Sequence, residues 1–192
     1  MAQTQQATAV KPETTTWKID PSHSNAQFSV RHLMISNVKG EFAQVSGQIS
    51  FNPQKPETLS AEATIDVSTI NTREPDRDKH LKSADFFDAA NFPTIAFKSK
   101  QAAKGPHGLK LTGDLTIHGI TREATLDVEG PTPPVKDPWG NTRVGASATT
   151  KINRKDFGLT WNQALETGGV LVGDEIKITV DVELVALAED GE

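Results

Sequence analysis

The segment that most constrains the fold lies near the end of the chain. From Glu175 to Val185 it reads EIKITVDVELV, in which Ile, Val and Leu alternate with Lys, Thr, Asp and Glu. Successive side chains of a β-strand point to opposite faces, so this alternation predicts a strand with one buried and one solvated face. At ~3.4 Å per residue the strand would extend over roughly 35 Å, about twice the usual length. Strands of this length would enclose an elongated apolar interior.

Shorter stretches of the same kind precede this segment. They cover residues 26–32, 38–51, 61–67, 94–100, 109–117, 121–129 and 144–151. The parity of the apolar positions changes between Phe42 and Val45, which predicts a bulge that bends one long strand. A tight connection at Gly119 and Ile120 predicts a hairpin between two of the strands.

One segment has a helical pattern instead. Leu81, Ala84 and Phe87 are at helical spacing after a charged stretch, which predicts a helix over roughly Arg73 to Ala90 that Pro93 ends. About seven or eight long antiparallel strands with one helical insertion predict an all-β fold, an up-and-down barrel or meander. A β-sandwich is the main alternative.

The composition excludes several classes of protein. The chain has 192 residues, which favours one domain, and a net charge of −5 with scattered Lys and Arg, which argues against a nucleic-acid partner. It has no cysteine, so disulfides and thiolate metal sites are excluded. No apolar run approaches the roughly 20 residues that a membrane-spanning helix needs.

The first residues differ in composition from the rest. Residues 1–16 are rich in Gln, Thr and Ala, which predicts a disordered arm before a folded domain at residues 17–188. They lack the apolar region of a signal peptide. We therefore expect a cytoplasmic protein, with a periplasmic protein whose leader has been removed as the alternative.

The inward-facing parity of the strands contains small residues among Ile, Val, Leu and Phe. They are Ala61, Ala63, Ala146, Ala148, Gly40, Gly47 and Gly113. Small side chains leave space inside a barrel of about eight strands, which holds either packed side chains or one small ligand. We therefore expect a cavity rather than a filled core.

The histidines do not form a metal-binding pattern. They are His23, His32, His80, His107 and His118. No pair has the spacing that would place two ligands on one face of a strand or helix, so no metal site is expected. A catalytic triad of Ser83, Asp85 and His80 is not expected, because no GxSxG-type motif surrounds any serine. No catalytic residues are therefore assigned.

Two charged groups leave alternatives open. Asp76, Arg77, Asp78 and His80 at the start of the helix are either capping and ion-pair residues or a polar gate at a barrel mouth. Arg154 is either a structural ion-pair partner or a guanidinium that binds a phosphate or carboxylate headgroup.

The phenylalanines near the helix end either anchor the helix or line the cavity: Phe86, Phe87, Phe92 and Phe97.

Taken together, five segments resemble the YceI family of lipid- or polyisoprenoid-binding domains. They are WKIDPSHSNAQFSVRH at 17–32, NVKGEF at 37–42, RDKHLKSADFFDAANFPTIAFKS at 77–99, LTGDLTIHGITREATLDV at 111–128 and INRKDFG at 152–158. The resemblance implies an extended eight-stranded antiparallel β-barrel, similar to lipocalins, with a long apolar pore. It also implies a polyisoprenoid ligand, such as a prenyl quinone or prenyl pyrophosphate, or another long amphiphile, and a homodimer.

The leading hypothesis is therefore a non-catalytic protein for lipid binding, storage or transport, with the bound polyisoprenoid or quinone as ligand and no other cofactor. The candidates for the apolar lining are Phe28, Val30, Phe42, Ile65, Val67, Phe97, Leu115, Ile117, Ile178 and Val180. The candidates for polar contacts are His32, Arg77, His80, Arg154 and Asn162.

Two other functions remain open. The first is an enzyme acting on a prenyl lipid, with its site around Asp78, His80 and Arg154. The second is an interaction module with a filled core and a functional outer face.

Overall fold

The computed structural model describes residues 14–52, 54–106, 108–166 and 168–187, which form twelve strands and one α-helix. The strands are β1 (Thr15–Ile19), β2 (Asn25–His32), β3 (Ser36–Phe42), β4 (Val45–Asn52), β5 (Lys55–Asp66), β6 (Ile70–Asn71), β7 (Thr94–Gly105), β8 (Gly108–Ile117), β9 (Ile120–Glu129), β10 (Val135–Lys136), β11 (Thr142–Asn153) and β12 (Val172–Ala186). The helix is α1 (Pro75–Lys82).

Parts of the sequence predictions lie outside the described residues. These are His107, residue 188 at the end of the predicted domain, and residues 1–13 of the predicted arm. Residues Thr15 and Thr16, which the prediction assigned to the arm, belong to β1.

The strands close into a ring. The order is β11–β9–β8–β7–β5–β4–β1–β12, and β12 pairs in turn with β11. The pairings are antiparallel, so the ring is an eight-stranded antiparallel barrel. This confirms the predicted barrel and excludes the sandwich. Closure leaves the ring itself without the unpaired edges of an open sheet.

The last strand holds the barrel together because it is long enough to serve three partners. β12 has 15 residues and pairs with β11 from Glu175 to Val185. Its other edge pairs with β1 at residues 184–186 and with β2 at residues 172–181. β1 and β2 therefore act as two parts of one bent strand, separated by a 3₁₀ turn at Pro21–His23.

The prediction of a bulge between Phe42 and Val45 is wrong, because the chain there divides into two separate strands, β3 and β4. β3 ends at Phe42 and pairs with β2, whereas β4 begins at Val45 and pairs with β1. The break between β3 and β4 therefore lies beside the 3₁₀ turn that separates β1 from β2. Beyond it, β2, β3 and β6 continue the sheet outside the ring.

The helix is shorter than predicted, and the prediction of a helix up to Ala90 is wrong. α1 ends at Lys82 because the backbone N–H and the hydroxyl of Ser83 both donate to the His80 carbonyl, at 3.0 and 2.7 Å. A serine hydroxyl competes in this way with helical hydrogen bonding. Residues 83–93 then continue as turns. Within the described ranges, no helix is long and apolar enough to cross a bilayer.

The predicted hairpin joins β8 and β9, with its connection one residue earlier than expected. His118 and Gly119 have φ of 52° and 72°, whereas Ile120 already belongs to β9. Two central residues with positive φ form the type I′ turn that suits the twist of a two-residue hairpin.

The two ends of the barrel are named here from β11. The Arg143 end is where β11 begins, and the Arg154 end is where it stops. Ile19 and Leu184, both 1% exposed, fill the Arg143 end, whereas Val45 and Val67, also 1% exposed, fill the Arg154 end. The least exposed side chains are therefore near the two ends of the barrel.

Candidate ligand-binding site

A cavity of about 230 Å³ lies inside the ring. All eight strands of the ring contribute side chains to its wall, and this wall exposes no polar surface. A single buried water needs only ~10–15 Å³ of such space and also needs polar partners, which this wall does not offer. The space therefore suits an apolar molecule much larger than water.

β12 supplies one side of the wall through every second residue. Ile176, Ile178, Val180, Val182 and Leu184 all line the cavity. Ile178 and Val180 stay partly exposed although they point inward, whereas Leu184 is 1% exposed. The open space therefore lies beside the middle of β12, on the face that the sequence alternation predicts.

Most predicted lining residues lie on this wall. They are Phe28, Val30, Phe42, Ile65, Phe97, Leu115, Ile117, Ile178 and Val180. The predicted position of Val67 is corrected, because β5 ends at Asp66 and Val67 lies off the wall, buried in a 3₁₀ turn. The Asp66 side chain accepts from the Ser68 N–H at 2.8 Å and caps the turn. The strand therefore ends one residue before Val67, and its alternation does not extend to that residue. Ligand contact by the wall residues stays a prediction.

The small residues divide into two groups. Ala61, Ala63, Ala146 and Ala148 line the cavity, as expected. Gly40, Gly47 and Gly113 do not leave room, because a Cβ there would clash with the Phe28 ring, with the Glu62 carbonyl and with the Lys98 carbonyl. The expectation that these glycines enlarge the cavity is wrong, since each permits close approach of a neighbouring group instead.

Arg154 borders the wall but directs its donors into the protein. It is 3% exposed and donates to the carbonyl oxygens of Gly173 at 2.9 Å, Leu159 at 2.6 Å and Trp161 at 2.8 Å. Burial lowers the pKa of Arg154, and the charge of Asp174, 3.6 Å away, opposes this effect. Of the two roles left open by the sequence, this geometry matches the structural one.

His32 and Asn162 lie next to the wall residue Val172. His32 is the cross-strand partner of Val172. The Asn162 amide donates to the Val172 carbonyl at 2.7 Å and accepts from its N–H at 3.0 Å. Neither His32 nor Asn162 lies on the wall, and Asn162 holds the start of β12 to the preceding loop.

Arg77 and His80 anchor the helix rather than lining the cavity. Arg77 donates to the hydroxyl and the carbonyl of Thr72, both at 2.8 Å. His80 bonds Asp85 at 2.8 Å and packs edge-on against Phe86 and Trp161. Phe86 lines the cavity, so its ring connects His80 with the cavity wall.

An ionic cluster that no sequence pattern predicts lies at the Arg143 end. Arg143 donates to Asp20 at 2.7 Å, to Asp137 at 2.7 Å and to Glu183 at 2.6 Å. The hydrogen bond from Arg143, with a second one from His23, holds the pKa of Asp20 well below its usual range. Asp137 is only six residues from Arg143, whereas Asp20 and Glu183 come from distant parts of the sequence and meet Arg143 through the pairing of the strands.

The same cluster contains ligand types for a metal. The ligand atoms of Asp20, His23 and Glu183 lie within 4.8 Å of one another, the single such trio among the described residues. However, the Arg143 guanidinium already donates to both carboxylates. An arginine between the two carboxylates favours an ion-pair network over cation binding.

Comparison with known proteins gives concordant matches. The family model described as the YceI-like domain matches residues 17–184. A UPF0312 protein of Staphylococcus aureus (strain N315) is 42% identical over 172 residues, which cover 88% of this chain and 96% of that protein.

Two solved structures share the architecture. BcnA of Burkholderia cenocepacia superposes with a TM-score of 0.72 at 24% identity, over 86% of this chain and 98% of that one. A polyisoprenoid binding domain from Saccharophagus degradans superposes with a TM-score of 0.63 at 13% identity, over 90% and 99% of the two chains. At these identities the likeness concerns the fold.

Proposed function

This chain belongs to the family of YceI-like domains, and we propose that it binds a polyisoprenoid, or a similar long-chain amphiphilic lipid, inside the barrel without catalysing a reaction on it. One observation carries the proposal. The wall of the cavity is apolar and follows β12 from Val172 to Leu184. An elongated apolar space of this kind matches the hydrocarbon part of such a lipid.

The energetics of such binding do not require a polar contact. Burying hydrocarbon contributes roughly 0.8 kcal/mol per CH₂. A five-carbon prenyl unit would therefore contribute up to ~3–4 kcal/mol before the cost of ordering the chain. About three or four such units would suffice for tight binding. The headgroup would then set orientation and selectivity rather than most of the affinity.

The fold comparison supports the ligand class. The Saccharophagus degradans protein is described as a polyisoprenoid binding domain and has the same architecture as this chain. A prenyl quinone or prenyl pyrophosphate is our proposed ligand. The proposed role is storage or transport of that lipid. The proposed oligomeric state is a homodimer.

The polar candidates support binding without catalysis. Asp78 accepts from the backbone N–H and hydroxyl of Thr72 at 2.8 and 2.6 Å. His80 is bonded to Asp85, and Arg154 donates to backbone carbonyls. Each group thus has a structural partner, whereas a general acid or base needs an atom directed at the substrate.

The test is native mass spectrometry of the purified protein, followed by solvent extraction and identification of any lipid. We expect a stoichiometric species with a prenyl or long acyl chain. A bare protein mass, combined with no uptake of added prenyl quinone, would contradict the proposal and favour the interaction module. Turnover of a prenyl pyrophosphate that stops in His80→Ala, with binding retained, would favour the enzyme.

A further inference from the structure

The hairpin between β2 and β3 presents two large apolar side chains to solvent. Met34 is 50% exposed and Ile35 is 78% exposed. They follow Leu33 in the connection between His32 and Ser36, which we call the β2–β3 tip. Isolated exposed apolar residues are common on protein surfaces, so the exposure alone implies no partner.

The backbone holds the β2–β3 tip in a defined shape. Leu33 and Met34 have φ of 51° and 61°, a conformation that side chains other than glycine adopt uncommonly. The Leu33 N–H donates to the Leu171 carbonyl at 2.8 Å, and Arg31 donates to the Met34 carbonyl at 3.0 Å. The apolar side chains are therefore displayed on an ordered turn.

A second apolar residue group lies beside the tip. Leu171, which accepts the hydrogen bond from the tip, follows Val170, and Val170 is 37% exposed. The apolar surface thus extends from the β2–β3 tip to the connection before β12. Two separate segments contribute to it.

Basic side chains flank this surface on the outer face of the sheet. Lys39 and Lys177 lie on either side of Ser29, because each is its cross-strand partner. Arg31 lies two residues further along β2, towards the tip. In the part of the chain that the structure describes, Lys39 and Lys177 have no ion-pair partner.

The two acidic residues at the groove beside the tip are already paired. Asp174 and Glu175 border the same surface groove as Met34. Asp174 accepts from Lys155 at 2.8 Å, and Glu175 pairs with Lys151 at 3.3 Å. The surface around the tip is therefore locally positive, although the whole chain has a net charge of −5.

We propose that the β2–β3 tip, with its basic flank, is the docking surface for a lipid bilayer that contains anionic lipid. Apolar side chains beside basic ones match the boundary between acyl chains and anionic headgroups. Met34 and Ile35 enter that boundary, while Lys39 and Lys177 contact lipid phosphates. This inference goes beyond lipid binding in the cavity, because docking requires no ligand inside the barrel.

The docking surface also adjoins the cavity. Val30 and Val172 line the cavity, and they lie on the two strands that lead towards the tip and Leu171. Docking at the tip places this part of the barrel against the bilayer, where long-chain lipids reside. The geometry thus connects a membrane surface with the apolar interior.

The chain offers a matched control at another exposed apolar site. Val135 is 61% exposed and Trp139 is 81% exposed, both in the connection between β9 and β11. If exposed apolar area alone drove membrane binding, this second site would serve equally well. A double variant at Met34 and Ile35, compared with a double variant at Val135 and Trp139, therefore isolates the contribution of the tip.

The test is co-sedimentation with vesicles of phosphatidylcholine alone and of mixed phosphatidylcholine and phosphatidylglycerol. The wild-type protein is expected to bind the mixed vesicles, less so at high salt, because salt screens the basic flank. Met34→Ser/Ile35→Ser should lower the affinity by at least about tenfold. Val135→Ser/Trp139→Ser should bind as the wild type does. An equal loss in both variants, no loss in the tip variant, or no vesicle binding by the wild type would overturn the proposal.

Two further measurements test insertion of the tip directly and exclude self-association. Because the chain contains no cysteine, Ile35→Cys and Trp139→Cys each accept one environment-sensitive fluorophore. We expect a blue shift on mixed vesicles at position 35 and none at position 139; the reverse would overturn the proposal. Sedimentation velocity without vesicles should give the same mass for the tip variant and wild type. A lower mass for the tip variant would assign the surface to a second copy of this chain instead.

Discussion

The ring of Phe28 lies over Gly40, its cross-strand partner on β3, in the space that a side chain at position 40 would need. Phe28 also lines the cavity and packs against Phe42 with ring centroids 5.8 Å apart. The glycine therefore positions an aromatic ring of the wall.

Gly40→Ala should destabilise the protein by forcing Phe28 away from its present position. We expect a loss of about 1–3 kcal/mol in the free energy of unfolding, measured by urea denaturation. Gly145→Ala is the matched control, because a Cβ at Gly145 meets no atom closer than 3.8 Å. A Cβ at position 40 would also meet the Thr72 methyl group at 2.8 Å, so the test is the coupling between positions 28 and 40. If the losses from Phe28→Leu and Gly40→Ala simply add in the double variant, the steric explanation fails.

The Arg143 cluster predicts a specific dependence of stability on acid. The pKa of Asp20 is lowered in the folded protein, chiefly by the hydrogen bond from Arg143. A lowered pKa contributes stability that is fully present above the unfolded value of about 4 and is lost as the pH falls towards the folded value. Wild-type stability should therefore decline below about pH 4 more steeply than that of Arg143→Met.

Denaturant titrations at a series of pH values measure this difference. Lys98→Met is the control, since the Lys98–Glu62 pair is exposed and such pairs contribute little. Parallel pH profiles for the wild type and Arg143→Met would show that the cluster does not supply the acid sensitivity.

Arg154→Met tests the structural role of the buried guanidinium. The substitution leaves the carbonyls of Leu159, Trp161 and Gly173 without their donor. Unsatisfied buried groups are costly, so we expect a loss of about 3 kcal/mol or more. The readout is the thermal midpoint, compared with that of Lys155→Met. Unchanged stability with altered headgroup selectivity would instead support the headgroup role.

Ile178→Glu should abolish retention of lipid by placing a carboxylate on the apolar wall. Thr179→Glu adds the same charge on the neighbouring residue of β12, which does not line the cavity. Mass spectrometry of lipid extracted from both variants, after circular dichroism has shown both to be folded, makes the comparison. Normal lipid content in folded Ile178→Glu would contradict the wall assignment.

Where strand alternation is unbroken, the sequence is sufficient to predict which residues line the cavity. In β12 a parity of apolar residues becomes one face, so Ile178 and Val180 could be placed on the wall before the fold was known. Val67 could not, because the strand ends one residue earlier at the Asp66 cap. Gly40 was misinterpreted because a missing side chain does not reveal which neighbour occupies its space.

Contacts between distant segments were beyond the reach of the pattern. Arg143 meets Asp20 and Glu183 only because β12 pairs with both β1 and β11. The helix end at Ser83 depended on a hydroxyl bond to His80 that competes with the helical spacing of Leu81 and Phe87. In the first case the polar partners are distant in sequence and in the second they are local, but hydrophobic periodicity predicts neither interaction.

The central claim is that the space beside β12 holds a long-chain lipid, and blocking that space tests it most directly. Ala148 lines the cavity and is the cross-strand partner of Val180, whereas the neighbouring Thr149 does not line the cavity. We would remove lipid from the wild type, Ala148→Trp and Thr149→Trp, and confirm by circular dichroism that all three are folded. Each would then be titrated with a prenyl quinone, and native mass spectrometry would measure the uptake. The account predicts stoichiometric uptake by the wild type and Thr149→Trp and none by Ala148→Trp. Equal uptake by all three would contradict it.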